Sequence, residues 1–366
     1  MKRLNNLYDE TYKLNNIINM TNKVLKTVRN KKQVEEFEKY KMEHILNIKN
    51  RLENENKLIG KYNIFLIKDP KYRIIMSLNI EDKIINHLIS KYILEKTFET
   101  KYTDNMVATR VGKGTSYGIR LIRKYLNEMK KNYNNFYILK IDISKYFYSI
   151  DHEILKNMIN KKIKDKKAIN ALNSIIDSTN EDYINKRIKY IKNFYKNKDV
   201  NNIPVYEFGK GVGIGNQTSQ NFGLIYLYEI NHYIKEILNI KYLINYMDDI
   251  LIIHEDKEFL KYCLDIIKRK FLIDYKLNVN KKKTRIYNIK SGIEFLGYRF
   301  YLNGNKIIIK IKKETKRKFK NKVKNLKLLM NNNYISIEDY KKQLSSYKGL
   351  LKYKNCKYLY YKTKKL

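Results

Sequence analysis

The sequence has little proline, cysteine or tryptophan, and it lacks any long apolar run. Its 366 residues include two prolines, two cysteines and no tryptophan. Without an apolar run of about 18 residues, no membrane span is predicted, and residues 1–10, MKRLNNLYDE, lack the apolar stretch of a signal peptide. Cys263 and Cys356 lie too far apart in sequence to suggest a metal-binding cluster. Such cysteine usage suits the reducing cytoplasm, which is the location we expect.

Acidic residues are scarce relative to basic ones. The chain carries 77 Lys and Arg against 37 Asp and Glu, which gives a net charge of +40. An abundance of Lys, Asn, Ile and Tyr is typical of an AT-rich coding sequence, which inflates lysine but does not remove acids. The remaining excess predicts a polyanionic partner, with nucleic acid favoured over a membrane surface. A generally basic surface with no nucleic-acid role is the alternative.

Apolar spacing divides the chain into helix-like and strand-like segments without an internal repeat. Helical spacing is found in 1–60, 80–98, 151–178, 256–271 and 312–366, and further helices follow the glycine loops at 112–114 and 213–215. Strand-like segments are the hairpin 62–79 turning at Asp69-Pro70, the strand 136–147, the strand pair 242–254 and the hairpin 292–311 turning at Asn303-Gly304. Residues 180–207 are polar, basic and rich in tyrosine. Tyr195 and Tyr206 either stack on unpaired bases or belong to an ordinary surface.

Two adjacent acids interrupt an apolar, strand-like segment at 243–255, LINYMDDILIIHE. Asp248 and Asp249 would lie at the tip of a tight hairpin, and Asp142 ends another apolar strand, YILKID. Buried carboxylates are costly unless they are paired or bind a metal, and adjacent ones raise each other's pKa. Strands of one sheet can bring the three acids together, where Mg²⁺ or Mn²⁺ would neutralise them. Taken alone, the Asp-Asp pair is a weak signal and fits an ordinary hairpin turn better than a metal site.

Three motifs occur in order: D-x-x-x-x-F at 142–147, the glycine loop IGNQTSQ at 214–220 and YMDD at 246–249. With this order and spacing the chain resembles a reverse transcriptase over about residues 60–350. The resemblance implies an α+β right-hand polymerase fold, in which an antiparallel palm sheet carries the YMDD hairpin. It divides the chain into an N-terminal helical extension (1–60), fingers (61–135), a palm (136–310, with a basic finger-like insertion around 180–207) and a helical thumb (311–366).

The resemblance also implies roles for the acids and for one lysine. Asp142, Asp248 and Asp249 would be catalytic and would bind two Mg²⁺ ions, with Mn²⁺ as the alternative. Two such ions about 3.5–4 Å apart activate a primer 3′-hydroxyl and stabilise the leaving pyrophosphate. Lys283 would protonate that pyrophosphate, and Lys281 and Lys282 are alternatives for this position.

Further positions match contacts to the incoming nucleotide and to nucleic acid. Arg73 and Lys71 would grip the triphosphate, and Phe147 would stack under the sugar and exclude a 2′-hydroxyl. The alternative for Arg73 and Lys71 is that they are solvated charges on a hairpin. The alternative for Phe147 is ordinary packing in the core. Ser219 is also a plausible helix N-cap. The remaining nucleotide-binding positions are Ile143, Gly215 and Gln220, and the nucleic-acid-binding positions are Gly112, Lys113, Ser219, Tyr246 and Met247.

The implied substrates are an RNA template, a DNA or RNA primer and dNTPs, with no membrane partner. Ser219-Gln220 stands where many reverse transcriptases carry Ser-Pro, which resembles diversity-generating retroelement enzymes and related stand-alone, defence-associated bacterial enzymes. Two features differ from the diversity-generating enzymes: these usually carry proline where Gly213 stands, and their connection is usually shorter than the basic stretch 180–207. The implied role is diversification of target genes within a bacterial or phage retroelement, or antiphage cDNA synthesis from a dedicated non-coding RNA. A structured non-coding RNA or a small accessory protein would be a further partner.

A polymerase-like protein that holds RNA without synthesis is the alternative of another class. The intact acids, Phe147 and Arg73 favour the enzyme, because a pure binder needs no set of metal-binding carboxylates.

Overall fold

The computed structural model describes residues 3–68, 71–345, 347–349, 351 and 361. Helices surround a four-stranded antiparallel sheet, a two-stranded hairpin and a three-stranded sheet, so the predicted α+β class is confirmed. Within the described residues, no helix is both long enough and apolar enough to cross a bilayer.

The strands are β1 (Asn63–Lys68), β2 (Tyr72–Ser77), β3 (Tyr137–Asp142), β4 (Tyr242–Tyr246), β5 (Asp249–His254), β6 (Arg285–Asn288), β7 (Ile293–Phe295), β8 (Tyr298–Asn303) and β9 (Lys306–Ile311). The α-helices are α1 (Leu14–Leu25), α2 (Lys31–Lys39), α3 (Lys41–Glu53), α4 (Ile80–Ile89), α5 (Lys96–Phe98), α6 (Thr115–Asn132), α7 (Tyr146–Ser149), α8 (His152–Asn160), α9 (Lys166–Asp177), α10 (Asp182–Tyr195), α11 (Lys198–Asn201), α12 (Gln217–His232), α13 (Lys257–Tyr275), α14 (Lys313–Asn331) and α15 (Ile337–Ser345). Short 3₁₀-helices span Tyr8–Thr11, Glu99–Lys101 and Ser178–Asn180, and π-helices span Ser90–Glu95 and Tyr233–Ile237.

The central sheet has the strand order β4-β5-β3-β6 and is covered on both faces. Side chains alternate along each strand, so Leu139 and Ile141 of β3 join one core cluster and Ile138 joins the other. Helix α12 packs on the first side and α6 on the second. Burial on both faces explains why β3, β4 and β5 read as continuous apolar runs in the sequence.

The hairpin of β1 and β2 lies apart from the central sheet. Its antiparallel register runs from Asn63 opposite Ser77 to Lys68 opposite Tyr72, as predicted, while the predicted turn Asp69-Pro70 lies outside the described residues. One face of the hairpin packs against α10, in the basic stretch 180–207. This third core cluster includes Ile64, Ile74, Met76, Ile184, Ile188 and Ile191.

The C-terminal part contains the sheet β7-β8-β9, the basic helix α14 and the helix α15. The predicted hairpin is present, but its turn consists of Gly304 and Asn305, one residue later than predicted. Strand β7 adds a third strand to it. Of the C-terminal segment 358–366, only Tyr361 lies among the described residues.

The strand predicted over 136–147 ends at Asp142, so its second part was predicted wrongly. The Ile143 amide donates to the Asp248 carbonyl (3.3 Å), and the Ser144 amide donates to the Asn278 carbonyl (2.8 Å). Lys145 then adopts a left-handed conformation with φ +49°. These contacts turn the chain out of the sheet and into α7.

The single helix predicted over 151–178 is in fact two helices, α8 and α9. Asp165 lies between them and caps α9 by accepting a hydrogen bond from the Ala168 amide (3.1 Å). Its other oxygen accepts from the amides of Leu7 (2.7 Å) and Tyr8 (3.0 Å). The break therefore attaches the N-terminal segment to the body of the protein.

A buried ion pair attaches the N-terminal helices to α4. Asp82 is 1 % exposed, and its carboxylate accepts hydrogen bonds from the Arg51 guanidinium and from the Gly60 amide (2.9 Å). We expect Asp82→Ala to lower the free energy of unfolding by about 2 kcal/mol, because it removes the buried acceptor of the Gly60 amide and one of the two carboxylates that pair with Arg51, which keeps its contact with Glu81 (3.0 Å). The shift of the urea unfolding midpoint measures this loss.

Asp104 provides the matched control, because it pairs with Lys113 from an exposed position. Exposed ion pairs contribute about 0–1 kcal/mol, so Asp104→Ala should move the midpoint little. Equal midpoint shifts for Asp82→Ala and Asp104→Ala would contradict the importance of the buried pair.

Candidate active site

The ladder of the central sheet brings two acids opposite each other. Asp142, the last residue of β3, pairs with Asp249, the first residue of β5. Tyr246 also pairs with Asp249 across β4 and β5, so Met247 and Asp248 alone form the turn between these strands. Met247 has φ +53°, a conformation that is uncommon outside glycine and clusters at functional sites. The three acids therefore gather at one end of the sheet.

The closeness of the three acids affects the pKa of Asp248. Burial, followed by the charges of Asp249 and Asp142, raises the pKa of the Asp248 carboxyl to about 6. Lys283 acts in the opposite direction but does not cancel the effect. Since two neighbouring acids contribute to the shift, the three carboxyl groups lie within electrostatic reach of one another.

Two lysines pair with the other two acids. Lys283 Nζ donates to both oxygens of Asp142, at 2.8 and 2.9 Å. Lys140 Nζ lies 3.2 Å from Asp249 Oδ1. Lys283 is a residue that the sequence analysis proposes for catalysis, whereas Lys140 was not predicted. Its position in the sequence could have indicated this role. Lys140 precedes Asp142 by two residues, and residues two apart on a strand share a face.

The donor set fits divalent cations in its chemistry. The carboxylate oxygens of Asp142, Asp248 and Asp249 are the hard ligands that Mg²⁺ and Mn²⁺ prefer. Asp249 Oδ1 is buried and accepts no well-oriented hydrogen bond from any residue that the structure describes. As the side chains are arranged, however, no three His, Cys, Asp or Glu residues within the described ranges form a ready metal site.

Phe147 lies on the short helix α7, five residues after Asp142 in the sequence. Its ring contacts that of Tyr146, with centroids 5.5 Å apart, and Tyr146 is buried with its hydroxyl bonded to the Gly223 carbonyl. A Cβ at Gly223 would approach the Phe147 ring to 3.4 Å. The half-buried ring is thus held against α12, and glycine at 223 leaves room for it.

The glycine loop before α12 is attached to the β1-β2 hairpin. The Met76 amide donates to the Ile214 carbonyl (2.9 Å). Gly215 has φ +120°, and a Cβ there would lie 3.0 Å from the Ile75 side chain. Glycine is therefore required by both conformation and space. The loop connects the hairpin strand that bears Arg73 to the helix behind Phe147.

The predicted N-cap at Ser219 is wrong, because α12 begins at Gln217. Ser219 is the third residue of the helix and is only 4 % exposed, while Gln220 is half-buried. Asn86 of α4 caps the helix from a distance: it accepts from the Thr218 amide (3.1 Å) and donates to the Thr218 hydroxyl (2.8 Å).

The remaining predicted contacts lie in three places. Gly112 has φ +73° in the loop before α6, where Lys113 bonds Asp104 (2.9 Å) and lies over the Tyr117 ring. The same loop reaches Tyr246, whose hydroxyl lies 3.4 Å from that of Thr115. Met247 and Ile143 are buried beside Asp248. Lys71 and Arg73 are exposed on the hairpin.

Comparison with known families identifies a match over residues 59–300, to the family described as reverse transcriptase (RNA-dependent DNA polymerase). Comparison with curated protein sequences gives no match.

Similar solved structures include two telomerases. Apo telomerase from Candida Tropicalis, truncated from the C-terminal domain, shares 17 % identity at a TM-score of 0.48 over 69 % of this chain and 55 % of its own. Telomerase from Candida albicans, in complex with the TWJ fragment of telomeric RNA, shares 15 % identity at a TM-score of 0.46 over 75 % and 51 %. The chain thus spans about half the length of these telomerase chains.

The family match covers about two thirds of the sequence and includes β3, the glycine loop and the YMDD hairpin. The chain therefore belongs to the reverse transcriptase family, whose members are RNA-directed DNA polymerases and hence nucleotidyltransferases.

Proposed function

We propose that this chain extends the 3′-hydroxyl of a DNA or RNA primer with dNTPs on an RNA template. The observation that carries the proposal is the meeting of Asp142, Asp248 and Asp249 at one end of the sheet, two of them paired across the ladder. In this proposal the central sheet is the palm (136–310), residues 61–135 are the fingers, 311–366 are the thumb and 1–60 are an N-terminal extension.

The three acids would hold two Mg²⁺ ions, with Mn²⁺ as the alternative. When bound, such ions activate the attacking hydroxyl and stabilise the charge on the leaving pyrophosphate. Because Lys283 and Lys140 pair with two of the acids, metal binding requires these carboxylates to exchange ammonium partners for the cation. Lys283 would then be free to donate a proton to pyrophosphate.

Residues around the acids would position the substrates. Arg73 and Lys71 are assigned to the triphosphate, because guanidinium and ammonium groups bind phosphate oxygens. The half-buried ring of Phe147 is assigned to the face of the sugar. Further contacts to nucleotide are assigned to Ile143, Gly215 and Gln220, and contacts to template or primer are assigned to Gly112, Lys113, Ser219, Tyr246 and Met247.

Primer extension distinguishes a polymerase from a protein that only holds RNA. We expect dNTP incorporation on a primed RNA template with Mg²⁺, and we expect chelation of divalent ions to stop it. RNA binding should survive chelation, because phosphate contacts by Lys and Arg do not need the metal. Persistent binding without incorporation, under any primer and with either metal, would favour the binding protein.

Phe147→Val is expected to admit ribonucleotides. Removing the ring opens space beside the sugar, so the preference for dNTP over rNTP should fall by about tenfold or more, as expected when a single close contact is lost. Competitive incorporation of dNTP against rNTP measures the preference.

Phe259→Val is the matched control, because the Phe259 ring contacts His254 at the opposite end of β5 from Asp249. This control should keep the wild-type sugar preference. An unchanged preference in Phe147→Val would leave that ring a packing role only.

For the biological role, we propose a bacterial or phage retroelement that diversifies target genes, supported by Ser219-Gln220 in the glycine loop. Sequencing the RNA and cDNA that copurify with the chain after expression from its own locus tests this role. Copies of a repeat that also occurs in a target gene are expected. Copies of one dedicated non-coding RNA would support the antiphage role instead.

A further inference from the structure

Helix α10 exposes three aromatic side chains. Tyr190 is 57 % exposed, Phe194 70 % and Tyr195 50 %. Aromatic residues normally contribute to cores, and an exposed apolar cluster of this kind marks a binding surface. We call these three residues together with Arg187 the α10 platform.

Arg187, Tyr190 and Phe194 lie along one side of α10, and Tyr195 is the last residue of the helix. The rings of Tyr190 and Phe194 are nearly parallel, with centroids 6.3 Å apart and an angle of 18°. The Arg187 guanidinium lies over the Tyr190 ring at 4.9 Å. Tyr195 meets Phe194 edge to face at 5.3 Å. Flat groups therefore follow one another from Arg187 to Tyr195.

Positive charge surrounds these rings. Residues 183–198 contain no acid, and five lysines accompany Arg187 there: Lys186, Lys189, Lys192, Lys196 and Lys198. Such a surface is complementary to a polyanion. Protein interfaces, by contrast, are depleted in lysine at their cores.

The helix that carries the α10 platform is rigidly held. Its other side buries Ile184, Ile188 and Ile191 against the hairpin. Asn185 and Tyr206 exchange two hydrogen bonds, of 2.8 and 2.9 Å, so α10 is fixed to the segment that leads to Gly215. A rigid platform loses little conformational entropy when a ligand binds.

Helix α10 is linked through Tyr206 to the segment that follows the active-site strand. The charge of Lys145, three residues after Asp142, contributes to lowering the pKa of Lys192, after the larger effect of burial. Tyr148 of α7 packs on Tyr206, with centroids 4.7 Å apart. Helix α10 is therefore joined through Tyr206 to α7, the short helix that follows the active-site strand and carries Phe147.

We propose that the α10 platform stacks unpaired nucleotides of single-stranded RNA while the neighbouring lysines bind their phosphates. Base stacking on aromatic rings tolerates any sequence, as a template site requires. Arg187 to Tyr195 spans about 12 Å of helix, enough for about three nucleotides at about 3.4 Å each. The choice of RNA rests on the proposed function, since the template is the strand that the enzyme reads unpaired.

Fluorescence anisotropy with an unstructured, labelled single-stranded RNA tests the platform without primer or dNTPs. For Tyr190→Ala/Phe194→Ala we expect the dissociation constant to rise about tenfold or more. Its dependence on salt should stay unchanged, because the rings release no counterions. For Lys186→Gln/Lys189→Gln we expect the slope of log affinity against log salt to fall by about 1.4.

Matched controls separate stacking from misfolding. Tyr262→Ala removes an exposed tyrosine from α13 and should leave RNA affinity unchanged. Tyr190→Leu/Phe194→Leu keeps apolar bulk and helix propensity but should lose as much affinity as the alanine pair. Duplex RNA should bind with equal affinity to the wild type and to the variants of Tyr190 and Phe194, because paired bases offer no free face for stacking.

The outcomes are independent of polymerase activity, since binding is measured without synthesis. An unchanged dissociation constant in Tyr190→Ala/Phe194→Ala would overturn the platform even if primer extension succeeds. An equal loss of affinity for duplex RNA in this variant would also overturn it. So would a platform that serves as a dimer interface, in which case the wild type is a dimer, the variant is a monomer and RNA binding persists. Tighter binding of single-stranded DNA than of RNA would contradict the assignment to the template.

Discussion

Asp248→Asn is expected to reduce dNTP incorporation by about 10³-fold or more. The substitution preserves the shape of the side chain but removes one of the three carboxylates that meet at the end of the sheet. Metal ions supply several kcal/mol of transition-state stabilisation, and each 1.36 kcal/mol corresponds to a factor of ten in rate. Single-turnover primer extension measures the loss, and Asp142→Asn and Asp249→Asn should behave alike.

The loss of activity should occur without loss of the fold. Asp248 is half-buried, and the charges of Asp249 and Asp142 raise its pKa, so removing its charge relieves repulsion. We therefore expect the thermal unfolding midpoint of Asp248→Asn to equal or exceed that of the wild type. Mg²⁺ should raise the midpoint of the wild type, because a ligand of the native state stabilises it, and should raise that of Asp248→Asn less.

Asp256→Asn is the matched control for this substitution. Asp256 caps α13 by accepting from the amides of Glu258 and Phe259, and asparagine is an equally good cap. Activity and stability should both stay near those of the wild type. Incorporation that persists in Asp248→Asn at a rate close to that of Asp256→Asn would refute the metal assignment.

The sequence predicts the parts of the site that depend on local pattern. Apolar runs on both sides of Asp248 and Asp249 require two buried strands, and their short separation requires a tight turn. The strand that ends at Asp142 has the same character. Burial on both faces of the sheet makes such strands conspicuous, which is why their pairing into one sheet was predicted correctly.

Features that depend on distant partners were not predictable from local pattern. Ser219 has the right chemistry for a cap, but the cap of α12 comes from Asn86, 132 residues from Thr218. The break at Asp165 depends on the amides of Leu7 and Tyr8. In both cases the bonded residues lie far apart in sequence. Residue preference and apolar spacing alone therefore gave the wrong helix boundary.

The basic stretch 180–207 illustrates the opposite difficulty. Its polar composition concealed a helix, because only Ile184, Ile188 and Ile191 mark the buried side of α10. The long-range pairing with the β1-β2 hairpin gives those isoleucines a core. Because the isoleucines are buried, the structure shows which aromatic side chains of α10 are exposed, whereas the sequence shows only that the stretch is rich in tyrosine.

Lys283→Ala is expected to lower the single-turnover rate of dNTP incorporation by about 10²- to 10⁴-fold, the usual contribution of a positioned proton donor. Its ammonium bonds both oxygens of Asp142, so the same group also orients a proposed metal ligand. Lys283→Arg should restore the ion pair more fully than the rate, because a guanidinium does not give up its proton.

Lys282→Ala and Lys281→Ala provide the controls, since both neighbouring side chains are exposed and the Lys282 amide, rather than its ammonium, bonds to Asn280. These variants should incorporate dNTPs at near wild-type rates, with at most a weaker affinity for the template. A loss in Lys282→Ala that matches Lys283→Ala would shift the assignment to the neighbour. Full rescue by Lys283→Arg would instead restrict Lys283 to orienting Asp142, since arginine keeps the charge and the hydrogen bonds while removing the proton donor.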